Sequence, residues 1–189
     1  MYQNSLSAVV SSACKGEPVM IVHQLSGGYI TKEWDLQIRT YPLSTINDNK
    51  HLWKIICEDV RDGNVVYRLQ SAMTDEKQMA IDPNNPTGTG ILLQDARPLN
   101  EEGQRADVQR WYILPSGNGC WTIVPFLRPD LVLGPMDKQV GINVCFRLVE
   151  VVGNVTPTTS CVQFAPPTPP KDPACEGGAG TAGPQARRV

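Results

Sequence analysis

An aromatic residue flanked by alternating apolar residues recurs three times along this chain, as HLWKII at 51–56, QRWYIL at 109–114 and VCFRLV at 144–149. On this alignment Trp53, Trp111 and Phe146 hold equivalent places. A second set of apolar runs, VMIV at 19–22, VYRL at 66–69 and CWTI at 120–123, precedes the aromatic runs in turn. Short strands repeated in one order build a fold of approximate threefold symmetry, because no repeat of this size buries its apolar face alone.

Each repeat divides into four runs. The middle one reads VYRLQS, QMAID, GILLQD and QRWYIL, broken by PNNPTGTG at 83–90 and NEEGQRAD at 100–107. The first reads VMIVHQ, GYITKE, LQIRTY and HLWKII. The third is compressed into WTIVPF, DLVLGP, QVGINV and CFRLVE, with almost nothing between the last two. No long window keeps a capped helical period, whereas the short runs alternate and end at Gly, Pro, Asn or Asp. The chain therefore reads as all-β, and three repeats of four strands match a β-trefoil, a six-stranded barrel capped by three hairpins. An irregular β-sandwich with coincidentally similar runs is the alternative.

On this reading residues 1–17 are an N-terminal extension, 18–152 the trefoil and 153–164 a connecting segment. The Pro-, Gly- and Ala-rich stretch 165–189 is expected to be a disordered tail, since it has too little apolar surface to offset its ordering entropy. Net charge is −2, with 17 basic and 19 acidic residues in no long block, which lacks the electrostatic footprint of a nucleic-acid binder. No apolar run reaches the roughly 18–20 residues of a membrane span. The N-terminus has no basic start before its small-residue patch, so the expected location is the cytoplasm or non-classical secretion. Of six cysteines, Cys57, Cys120 and Cys145 fall in or beside the runs and read as small buried hydrophobes, while Cys14, Cys161 and Cys175 fall in the tails. No Cys/His spacing suggests zinc, and no cofactor motif appears. His23 and His51 are the only histidines, both within expected strands, and no nucleophile or phosphate-loop motif accompanies them, so no enzyme is expected. Asn154-Val155-Thr156 is a glycosylation sequon, relevant only to a secreted chain.

Gln109-Arg110-Trp111 has the Gln-x-Trp form, and the stretch from Met79 to Ile113 resembles one whole repeat of the ricin B-like trefoil lectins. The resemblance spans 18–152 in architecture, with Gln-x-Trp reduced to His51-Leu52-Trp53 in the first repeat and to Val144-Cys145-Phe146 in the third. It implies a glycan or glycoprotein partner. It also implies a carboxylate after the second strand, an amide near Gln-x-Trp and a ring covering the sugar's apolar face. Matched residue by residue, Asp82 is the carboxylate, Asp107 stands where an asparagine is usual, Gln94 where the aromatic is usual, and Gln109 begins the motif. Otherwise Asp82 is a turn residue ahead of Pro83. In the first repeat Trp34 and Tyr41 offer rings and Asp35 or Asp48 acceptors; in the third, Gly134 replaces the carboxylate. The resemblance turns Trp53, Trp111 and Phe146 into the core.

The chain is also similar to fungal trefoil protease inhibitors of the mycocypin kind, which implies a restrained loop entering a protease cleft. The candidate loops are Pro83 to Thr89, stiffened by Pro83 and Pro86, and Leu99 to Asp107, with Arg105 as a basic anchor. A third possibility is a trefoil that binds another protein.

Overall fold

The computed structural model describes residues 16–33, 37–45, 48–61, 63–85, 87–98, 101–117, 120–136, 146–151 and 160–167. Twelve strands lie among them: β1 (Pro18–His23), β2 (Tyr29–Lys32), β3 (Ile38–Tyr41), β4 (Leu52–Arg61), β5 (Asn64–Ser71), β6 (Gln78–Ile81), β7 (Ile91–Gln94), β8 (Trp111–Gly117), β9 (Cys120–Pro125), β10 (Leu131–Pro135), β11 (Phe146–Glu150) and β12 (Val162–Ala165). Helix among the described residues is confined to one turn at Gln104–Asp107 and short 3-10 turns at Leu43–Thr45 and Asn49–His51.

Six strands close into a ring, β1–β4–β5–β8–β9–β12 and back to β1, every neighbour antiparallel. The register repeats with the threefold symmetry. Trp53 faces Val19 in its own repeat and Ser71 in the next. Trp111 faces Tyr67 and then Pro125. Val162 faces Trp121 and then His23. Each crossing thus advances four residues along the first strand, and this constant stagger is what tilts six strands into a closed barrel. The hairpins β2–β3, β6–β7 and β10–β11 complete the three repeats. This is the trefoil architecture expected from the repeats.

The same register corrects the third repeat. β11 is not the closing strand but the outer half of a hairpin with β10, with Phe146 opposite Pro135. Closure falls to β12, between β1 and β9, so the trefoil extends through the segment read as a connector and ends at Ala165, not at 152. Val162, not Phe146, is the true counterpart of Trp53 and Trp111. An alternating run such as CFRLVE fits any half-buried strand, and replacing the marker tryptophan by valine removed the sign that would have set the register. The strand expected at 139–144 and nearly all of the expected tail lie outside the described residues.

Trp53 and Trp111 have no exposed surface and fill equivalent places in the core. Their indole N–H groups donate to the carbonyls of Ile30, at 2.8 Å, and Met79, at 3.0 Å, which fixes each hairpin on its closing strand. Phe146 is buried too and stacks edge-on with His23 at 5.3 Å between centroids. Cys120 and Cys161 are joined by a disulfide, their Cα atoms 5.5 Å apart, and Cys57 is also disulfide-bonded. This corrects the reading of Cys57 and Cys120 as small buried hydrophobes and of Cys161 as part of a tail. Once β12 pairs with β9 at Trp121, Cys161 is carried out of the supposed tail to the side of Cys120.

Candidate functional site

In the middle repeat the expected sugar-facing residues separate into different roles. Asp82 follows β6; its amide donates to the Gly90 carbonyl and its carboxylate accepts the Asn84 amide at 2.9 Å, the geometry of a turn cap. Gln94 ends β7 opposite Gln78, half-buried. Asp107 closes the helical turn, where the Arg110 guanidinium reaches it at 2.5 Å. Gln109 is wholly buried, and its amide is used within the chain, donating to the Asp95 carbonyl at 2.8 Å and accepting from the Arg97 amide at 3.1 Å. It fastens the loop after β7 to the closing strand and offers a ligand nothing, which removes it from the sugar-facing set.

Beneath this loop lies a cluster that sequence reading missed. The Glu58 side chain is 1% exposed and takes four hydrogen bonds, two from Arg68 at 2.7 and 2.8 Å and two from Arg110 at 2.6 and 3.2 Å. A bulge between Cys57 and Asp59 gives β4 one extra residue at this point, and the extra residue is Glu58. The arginines use their remaining donors on the carbonyls of Arg97, Pro98 and Glu101. Two cations and the carboxylates of Glu58 and Asp107 balance, so the burial is compensated. The Glu58 hydrogen bonds, opposed by burial and assisted by Asp107, hold the Arg110 guanidinium charged well beyond its ordinary range.

Matched hairpin contacts carry the middle-repeat positions onto the first repeat. The Glu33 amide donates to the Gln37 carbonyl as that of Asp82 does to Gly90, and Tyr29 faces Tyr41 as Gln78 faces Gln94. Glu33 therefore stands at the Asp82 position and Tyr41 at the Gln94 position. Asn49 stands four residues before Trp53, as Asp107 stands four before Trp111, on an exposed 3-10 turn. Asp48, one of the acceptors expected here, caps that turn through the Lys50 amide at 3.0 Å. Trp34 and Asp35 lie outside the described residues. Glu33 and Asn49 were missed, although the spacing of Asn49 from its tryptophan was there to be read.

The third repeat lacks the carboxylate. Leu131 faces Glu150 as Gln78 faces Gln94, so the Asp82 position, four residues on, falls to Pro135 rather than to the expected Gly134. Ser160, two residues before Val162 as Gln109 is before Trp111, is fully buried. Of the loop candidates, Pro83 is exposed, and its loop is held by Arg128 donating to the Thr87 carbonyl at 2.7 Å and by the Leu148 amide donating to that of Thr89 at 2.9 Å. Pro86 lies outside the described residues. Arg105 sits in the helical turn Gln104–Asp107.

The chain has relatives by shape. Among solved structures, the designed threefold-symmetric protein ThreeFoil is similar with a TM-score of 0.60 at 16% identity, over 78% of this chain and 97% of that one. The fold is a β-trefoil. The Macrolepiota procera ricin B-like lectin, solved in complex with lactose, is similar with a TM-score of 0.54 at 14% identity, over 80% of this chain and 96% of the lectin. A mosquitocidal holotoxin matches with a TM-score of 0.63 at 13% identity, but the trefoil, 81% of this chain, corresponds to only 17% of the toxin. No family model and no curated protein matches the sequence. No group of metal-ligating side chains occurs among the described residues, and none of their helices is long and apolar enough to cross a membrane.

Proposed function

We propose that the chain is a non-enzymatic, ricin B-like carbohydrate-binding module whose working site is in the first repeat. The observation that carries this is the register, which gives Glu33, Tyr41 and Asn49 the places of carboxylate, ring and amide in one repeat. Glu33 accepts the hydrogen bonds that orient the sugar, Tyr41 covers its apolar C–H face, and Asn49 offers both a donor and an acceptor. The middle repeat has Asp82 and Asp107 but only Gln94 where a flat ring would lie, so it is the weaker site. The lactose-bound lectin among the similar structures supports a sugar ligand, and lactose is the first probe. A glycan array should be positive, and Glu33→Ala or Tyr41→Ala should weaken lactose binding about 10- to 100-fold, as expected for losing a charged hydrogen bond or its covering ring. Undiminished binding by both variants, or loss of binding by Asp82→Ala alone, would move the site out of the first repeat.

A protease inhibitor is the second reading, favoured by the loop after Asp82, whose carbonyls are pinned by Arg128 and Leu148 and whose Pro83 is exposed. Inhibition of a papain-like or trypsin-like protease by the intact chain, lost on Pro83→Gly, would favour it. Of the two expected locations, the cytoplasm and non-classical secretion, the Cys120–Cys161 disulfide supports the oxidising exterior, since cytosolic thiols stay reduced.

A further inference from the structure

The Gln109 position is filled differently in the first repeat, and the difference falls beside Tyr41. His51 stands two residues before Trp53, where Gln109 stands before Trp111. It is half-buried, and its Nδ1 lies 3.0 Å from the Asp48 carbonyl. A carbonyl only accepts, so this nitrogen carries the proton and Nε2 is the bare nitrogen of the neutral ring. The ring meets Tyr29 edge-on, 6.4 Å between centroids with planes at 88°. Tyr29 faces Tyr41 across the β2–β3 ladder, and directly opposed residues share a face of the sheet. His51 in the turn before β4 thus meets Tyr29, the register partner of Tyr41.

We propose that His51 is a positioning residue for the first-repeat site: its neutral ring braces Tyr29 and through it Tyr41, which makes ligand binding there fall on acidification. This rests on the first-repeat reading above. Protonation puts a charge on a ring whose partial burial opposes it, so the seat against Tyr29 favours the neutral ring and is weakened in acid. Burial holds the imidazole below its ordinary value, and the Asp48 carbonyl and carboxylate only partly offset that. The charged and titratable groups around the ring are Asp48 and Lys50 from its own turn and the Tyr29 phenol from β2, with Tyr41 and Arg39 further along the same sheet face on β3. Lys32 is turned into the interior, where it is paired with Asp75. Tyr, Lys and Arg keep their charge state between pH 7.5 and 5, and ordinary carboxylates stay largely ionised there, so histidine is the group that changes.

The decisive measurement is a pH titration of the unliganded chain by NMR from pH 7.5 to 5, with lactose affinity measured at both ends. The Tyr29 and Tyr41 ring signals should move with the His51 imidazole signal in the wild type. In His51→Gln, which installs the residue of the middle repeat, they should stay still. Lactose affinity should fall at least about fivefold across this range in the wild type, whereas His51→Gln, which lacks the bracing ring, should bind at the lower level at both pH values. Tyrosine signals indifferent to His51 protonation, or the same affinity loss in both chains, would overturn the positioning role. Tyrosine signals that track His51 in a chain that binds no lactose at either pH would uphold the brace and overturn the carbohydrate reading instead.

Discussion

Single side chains in this trefoil divide between those that recur by symmetry and those that break it. Trp111 recurs, and its ring and N–H together seat the middle hairpin, so Trp111→Ala should cost about 3–5 kcal/mol in chemical denaturation whatever ligand is present. Glu58 breaks the symmetry. Glu58→Gln leaves Arg68 and Arg110 buried without their shared anion and should cost about 3–5 kcal/mol, a penalty that comes from the stranded cations more than from the lost attraction. Gln109→Ala should free the loop at Asp95 and Arg97 for about 1–3 kcal/mol while lactose binding survives, which separates its framework role from a ligand contact. The tryptophans were legible because large rings repeat in sequence as they do in space. Gln109 was legible as a motif but not in its role, since a glutamine at a surface-facing motif and one clamped to backbone look identical in a string. Glu58 was illegible for another reason: the bulge recurs at Ser116, five residues after Trp111 as Glu58 is after Trp53, but the residue in it does not, so no repeated side chain marks the place.

At the scale of elements the informative strand is β12. It carries no tryptophan and resembles tail in sequence, yet it supplies one staff of the barrel and bonds to both β1 and β9. Removing residues 160–189 should therefore abolish cooperative thermal unfolding, whereas removing only 168–189 should leave the melting temperature close to that of the intact chain. The Cys120–Cys161 bridge closes a span of 41 residues across this third repeat, and breaking it should lower stability by about 4 kcal/mol on the chain-entropy account. Denaturation of the Cys120→Ala/Cys161→Ala double variant checks the figure. The ten other strands assigned from sequence to a place in a repeat, from β1 to β10, fell in that place because alternation and turn residues mark them twice over. β11 and β12 were misread because period-two patterning says that a strand exists, not which neighbour it takes.

For the whole molecule, threefold architecture does not mean threefold function. The first repeat carries carboxylate, ring and amide, the middle one lacks the ring, and the third has Pro135 in place of the carboxylate. Calorimetric titration with lactose should accordingly saturate at one strong site per chain; three equal sites would contradict the geometry. Fold class was legible because it is a property of the repeats in common, while the site was not, because it depends on how far each repeat has drifted from them. The ladder between His23 and Val162 has one more consequence, for synthesis. A ribosome delivers β1 early and β12 last, so until residue 165 clears the exit tunnel the nascent barrel stands open, with the edges of β1 and β9 waiting for a strand that has not been made. Until closure such edges can pair with those of a neighbouring chain, so the risk of misassembly is greatest before β12 arrives.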